Sequence, residues 1–417
     1  MNKAWFLGTS LTALTALTAC NDLTGGGDDN DNNTGDEEVP ASLSGIEGDY
    51  NFLILGHELE AGEDAEATYP REARVSASGE VLEGSLSATD SGFQFSWTAG
   101  DWDDASLNWV NEGSGWQLGS ESMSPLEHEY EQFAEFDETG TSETFSIDDN
   151  GVFSFADYRG GAVANDLGSF AFNSGDSMED DAGSSWSNRT EYQNIVLGAK
   201  AWNPDDSIQA DFNMLGMALV LDNDTTNSNG DGGNRVGVGA RVLTSGRAVL
   251  DGSGQSLDMW WHRKRAVLGF DDTSIQTWED DRGTQQDPRT VSAQISDRGW
   301  VRNVDNGTAA DRPFAMIAPD GEMLVTQTSK LSSDDNGNER VRYRMRVGLP
   351  RGGAQDRPTC DASTFDGQYR MLTFGMEMDP ATSDHPFDVA SETGRVTYDV
   401  TNGSLPSLDA AEYYIGK

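Results

Sequence analysis

Short runs of Val, Phe, Ile and Tyr, separated by Asp-Gly and Asn-Gly turns, recur in the same order along this chain, and that recurrence constrains its fold most. One block opens Gly48-Asp49-Tyr50-Asn51-Phe52-Leu53, a second Ala210-Asp211-Phe212-Asn213-Met214-Leu215, and a third Gly367-Gln368-Tyr369-Arg370-Met371-Leu372. The aromatic positions lie about 160 residues apart, the mark of an internal duplication. Later pieces match as well. Ile147 to Phe153 answers Ile295 to Val301, Ala164 to Phe170 answers Ala318 to Leu324, and Tyr192 to Gly198 answers Tyr343 to Gly348. Arg74 to Gly79, Arg241 to Gly246 and Ser391 to Gly394 read as a shared turn signature.

Gly accepts positive φ, and Asn or Asp bonds its own backbone, so these pieces read as hairpins. Alternating β-branched and aromatic residues flank them. The fold class expected is therefore all-β, an antiparallel, repeat-built, β-propeller-like meander, with tandem β-barrels or sandwiches as the alternative. Residues 45–205 form the first repeat, 206–355 the second, and 356–417 a partial third. One helix is expected: Ser124-Pro125-Leu126-Glu127 is a capping box with Pro at the first helical position, followed by Tyr130, Phe133 and Phe136.

The chain carries 27 basic and 72 acidic residues, a net charge of −45. Such a surface repels nucleic acid and anionic lipid, which excludes both as general partners. It suits cation binding or, more simply, solubility at high ionic strength. Of the two cysteines, Cys360 has no intrachain partner if Cys20 is modified. The four histidines, His57, His128, His262 and His385, lack zinc-site spacing.

The N-terminus explains Cys20. Lys3 precedes a short apolar stretch, Ala4 to Leu17, too short to span a bilayer, and Leu17-Thr18-Ala19-Cys20 ends it. This resembles the lipobox of bacterial lipoprotein precursors. The resemblance implies that residues 1–19 are a signal peptide, that Cys20 is lipidated and acylated, and that the protein is held to the membrane by lipid. Asn21, rather than Asp, after the cysteine implies the outer membrane rather than the inner. Residues 20–44, rich in Gly, Asp and Asn, read as an acidic disordered tether.

No nucleophile elbow or phosphate loop appears. A secreted polysaccharide hydrolase using unidentified carboxylates is the alternative to the main reading, a non-catalytic binding or structural scaffold with an acidic glycan or envelope protein as partner. Arg340, Arg342, Arg344 and Arg346 alternate with Val341, Tyr343, Met345 and Val347, which puts four guanidinium groups on one sheet face. With Arg263, Lys264 and Arg265 beside Trp260-Trp261, they form a candidate anion site. The competing role is cross-strand pairing with carboxylates. Asn227, Asn229 and Asp231 resemble the start of a calcium loop without its distant acid, so calcium is the one cofactor considered. Trp97, Trp102, Trp109 and Trp116 either stack on sugar rings or staple turns to a core.

Overall fold

The computed structural model describes residues 47–61, 72–89, 92–111, 116–118, 126–131, 138–141, 144, 146–147, 152–154, 159–164, 169–178, 190–204, 208–222, 240–269, 272–296, 298–303, 313–333, 339–351, 367–378, 387–398 and 407–415. Among them the regular structure is β, apart from a 3₁₀ turn at Pro319–Gly321. No helix there is long and apolar enough to cross a membrane.

The first sheet contains β1 (Gly48–Ala61), β2 (Glu72–Thr89), β3 (Gly92–Asn111), β4 (Trp116–Leu118), β5 (Leu126–Glu131), β6 (Glu138–Thr141), β7 (Ser146–Ile147), β8 (Val152–Ser154), β9 (Arg159–Ala164), β10 (Ser169–Met178) and β11 (Thr190–Lys200). Its main path runs β4-β3-β2-β1-β11-β10-β9-β8-β7, with β5 and β6 also on β3. The second contains β12 (Gln209–Asp222), β13 (Ala240–Asp251), β14 (Ser256–Gly269), β15 (Asp272–Arg282), β16 (Arg289–Ile295), β17 (Trp300–Asn303), β18 (Pro313–Ile317), β19 (Leu324–Ser333) and β20 (Glu339–Pro350). Its order is β13-β12-β20-β19-β18-β17-β16-β14-β15, and β13 also pairs with β14. That pairing closes an 8-strand antiparallel barrel with β15 outside the ring.

The two sheets share register. In both, the opening strand pairs with the last strand so that Gly198 lies opposite Phe52 and Gly348 opposite Met214, each two residues beyond the opening aromatic. The hairpins Ile147↔Phe153 and Ile295↔Val301 also coincide. The Pro319-Asp320-Gly321 turn joins β18 to β19, with Asp320 at φ 56° and Gly321 at φ 75°, a region that Gly enters freely and Asp tolerates.

Several expectations change. The closed barrel is the arrangement of the tandem-barrel alternative, and its continuous ring of neighbouring strands is not a propeller's set of blades. The third block is a separate sheet of β21 (Gly367–Met378), β22 (Phe387–Tyr398) and β23 (Ser407–Ile415), with β21 and β22 lying near β9 and β10. Leu126–Glu131 is strand, not helix. Leu126, His128 and Tyr130 also alternate with three glutamates, and the flank of β3 offers that period-two segment backbone partners over Trp102 to Leu107. Phe133 and Phe136 lie outside the described residues. Gly79, Gly246 and Gly394 sit inside strands rather than in turns, with Gly246 and Gly394 opposite Met214 and Met371 but Gly79 opposite Leu55.

Two cores follow from strand alternation. Phe212, Met214, Leu250, Leu257, Met259, Ile295, Val301, Ile317 and Leu324 fill one end of the barrel. The other core lies between the sheets, where Leu53, Leu55, Val81 and Leu197 meet Met217, Leu219, Val325, Val341, Tyr343 and Val347. Polar contacts fix that junction. Tyr343 Oη and Ser329 Oγ donate to the buried Asp103 carboxylate at 2.6 and 2.7 Å. Trp300 Nε1 donates to Glu83 at 2.8 Å, and Asn51 Nδ2 to the Arg298 carbonyl at 2.6 Å. Gly79 permits the close approach, since a Cβ there would stand 3.2 Å from the Tyr343 ring.

On the opposite face of the first sheet, Phe52 meets Phe95 edge-on at 4.8 Å and Phe95 stacks on Trp97. Trp97 also lies against Gly140, so it packs within the sheet rather than standing free. Nearby, burial and the Asp104 carboxylate push Glu80 up to about 7 from the usual 4.5, against a smaller opposing hydrogen bond from Ser78. A raised carboxyl favours the fold when protonated, so its contribution is complete below the unfolded value and disappears as pH rises through about 7. Denaturant titrations of Glu80→Gln and the native protein from pH 4 to 8 should therefore diverge upward from pH 4.5. The variant should be the more stable by roughly 1–3 kcal/mol at pH 8.

Candidate functional site

β20 is the strand on which the candidate site depends, because its two faces meet different surroundings. Val341, Tyr343, Met345 and Val347 are buried on the face that joins the inter-sheet core. The arginines take the other register, shared with Phe212 and Met214 of the barrel core through β12. The row read from the sequence as lying on one sheet face thus lines the inside of the barrel.

The pairing arranges this interior in levels. At the lowest, Gly246, Met214, Gly348 and Leu324 stand side by side on β13, β12, β20 and β19. The next level is Thr244, Gly216, Arg346 and Thr326. Above come Val242, Ala218, Arg344 and Thr328, then Ala240, Val220, Arg342 and Lys330, and finally Asp222, Arg340 and Ser332. Exposure follows the ladder: Arg340, Arg342 and Arg344 are half-buried, and Arg346 is only 5% exposed. Arg346 therefore sits where the cationic part of the interior meets the apolar plug.

β14 and its neighbours add to the cluster. Trp261 is opposite Gly246, and Arg263 opposite Thr244. The Arg346 guanidinium lies over the Trp261 ring at 4.4 Å, and that of Arg289 over the same ring at 5.6 Å. Arg265 shares the register of Arg263, opposite Val242 and Trp278. Lys264 takes the alternate register, opposite Leu243 and Glu279. Arg282 and Arg289, which the sequence pattern did not single out, join the site. They lie on β15 and β16, far along the chain from β20, and no local spacing signals them.

Cross-strand pairing with acids explains only part of the cluster. Arg340 is opposite Asp222 and Arg263 opposite Asp280, but the neighbours of Arg342, Arg344 and Arg346 on both sides are Val, Ala, Gly, Thr or Lys. Among the described residues no acid pairs with Arg344 or Arg346. By contrast, Arg247, in the alternate register of β13, pairs with Asp211, and His262 on β14 lies 3.0 Å from Asp281. Burial, followed by repulsion from Arg342, Arg263, Arg289 and Arg282, pushes Arg344 down to about 10. Burial with Arg344 and Arg289 pushes Arg346 down to about 9. Both remain cations at neutral pH, and no described acid offsets their mutual repulsion.

Glycine makes room for this. Without a side chain at Gly216, the Arg346 stem passes across β12, where a Cβ would strike Arg346 and the Met345 carbonyl. Gly216→Val should destabilise the protein by about 1–3 kcal/mol, read by chemical denaturation, because the overlap is with backbone as well as side chain.

Cys20, the calcium candidates Asn227, Asn229 and Asp231, and Cys360 lie outside the described residues. Among those described, no group of three or more His, Cys, Asp or Glu could hold a metal ion.

No family model and no curated protein matches the chain. Among solved structures, a double mutant of the vaccine antigen Transferrin Binding Protein B from Haemophilus parasuis aligns at 10% identity over 73% of this chain and 76% of its own, with a TM-score of 0.21. A single mutant of the same antigen aligns at 9% identity over 75% and 77%, also with a TM-score of 0.21. Superposition this loose carries no inference about ligand.

Proposed function

We propose that this protein is a lipid-anchored, non-catalytic binding protein of the bacterial envelope that takes an anionic ligand in the arginine-lined part of its barrel. The observation that supports this most is the pair Arg344 and Arg346, with which no acid among the described residues pairs, in a chain of net charge −45. Buried cations without acids are costly to the fold, so their retention favours a role beyond folding. The lipid anchor rests on Leu17-Thr18-Ala19-Cys20, and two or more acyl chains would make release from the membrane slow.

Binding of a panel of acidic glycans and small anions to the full-length protein in detergent tests the site. Arg342→Glu/Arg344→Glu should weaken binding at least about tenfold, since each reversal replaces attraction by repulsion in a poorly solvated interior. Native binding should also fall as salt rises. Indifference to the double reversal would remove the site, and turnover of any glycan would overturn the non-catalytic reading. For the anchor, Cys20→Ser should leave the membrane fraction and keep residues 1–19, as fractionation and intact mass would show.

A further inference from the structure

The deepest level of the barrel narrows the kind of anion. Arg346 Nε is buried and has no hydrogen-bond partner, and neither do Thr244 Oγ1 and Thr326 Oγ1. Thr244 is 7% exposed and Thr326 2%. These groups are neighbours in one level of four adjacent strands, Thr244-Gly216-Arg346-Thr326. They are donors that water does not reach, gathered at one height above an apolar plug. Buried polar atoms are rarely left unsatisfied, and such a group asks for what would satisfy it.

Resting on the anion-binding reading above, we propose that the Arg346 level is the site of a compact, multivalent oxyanion: a phosphate, a sulfate or a small polycarboxylate. A neutral occupant would accept hydrogen bonds from the threonines but leave the guanidinium charge uncompensated. One negative charge would answer Arg346 and leave Arg344 and Arg289 in mutual repulsion with it. An oxyanion with two or more charges answers all three, and several oxygens can accept from the Arg346 Nε–H and both hydroxyls at once. Trp261 holds the Arg346 and Arg289 guanidinium groups against its ring, which orients them before the ligand arrives. Met214 and Leu324 stand directly beneath in the register, so this level ends blind against the plug. It fits a small molecule or the end of a chain, not a polymer running through. Of these we commit to the small molecule.

Calorimetry and thermal melts of the full-length protein in detergent, in buffer free of phosphate and sulfate, test this. The titrants are sulfate, phosphate, pyrophosphate and citrate, with chloride matched for ionic strength and a sulfated oligosaccharide as the chain-end arm. At least one small oxyanion should bind and raise the melting temperature where chloride does not. Thr244→Val/Thr326→Val should keep the fold and weaken that anion about tenfold or more, by removing two donors to a charged acceptor. Arg346→Met should melt higher than the native protein without anion, because a buried unpaired charge is gone, and should lose the anion response. Binding of the oligosaccharide alone, sensitive to Arg342→Glu/Arg344→Glu but not to the threonine changes, would overturn this proposal and leave the functional reading intact. A melting shift equal to that in chloride, or one unchanged in both the Thr244→Val/Thr326→Val and Arg346→Met proteins, would also overturn it. If nothing anionic binds at any size, both readings fall together.

Discussion

The period-two alternation of β20 is the constraint on which the rest of the molecule depends. Val341, Tyr343, Met345 and Val347 point into the junction with the first sheet, and Arg340, Arg342, Arg344 and Arg346 take the opposite register, inside the barrel. Because a strand has only two faces, one residue of slip would drive four guanidinium groups into an apolar junction. The register is pinned from both sides. Tyr343 Oη donates to buried Asp103 of β3, and Gly216 on β12 leaves space for the Arg346 stem. The junction between the sheets and the interior of the barrel are therefore set by one strand.

That coupling bears on energetics. An apolar plug at one end of a barrel is favourable in the ordinary way, through area removed from water. The Arg344 and Arg346 guanidinium groups set just above the plug, with which no acid among the described residues pairs, work against it. The fold carries this local cost because the inter-sheet core is large and its polar groups are matched: Asp103 with Tyr343 and Ser329, Glu83 with Trp300 and Arg298, Asn51 with Arg298. A strained interior held in a well-satisfied frame is the arrangement expected of a binding site waiting for its counter-charge. The half-buried Glu80 beside Asp104 in the first sheet is a charge conflict of the opposite sign.

Much of this was legible in the chain. The Asn150-Gly151 and Asp320-Gly321 dipeptides, flanked by alternating runs, are enough for an antiparallel all-β reading, because turn chemistry and side-chain period are local. The expected helix at Leu126 failed on the same principle: a capping box is local, but its segment also has period two, and β3 offered partners that no helix could use. Reading Gly246 as a turn failed because a glycine that makes room for a facing strand looks the same in sequence as one that bends the backbone.

What the amino-acid sequence determined by itself was that Arg340 to Arg346 share one face, since that needs only the geometry of a single strand. Whether the face was solvent or interior was decided by closure of β13 onto β14, a pairing between segments whose register no local pattern specifies. The same closure brought Arg263, Arg282, Arg289, Thr244 and Thr326 to the ladder from strands spread over about a hundred residues of chain. Proximity of that kind belongs to topology. The charges were written in the sequence, but only the ring of strands turned a row of cations into an enclosed site.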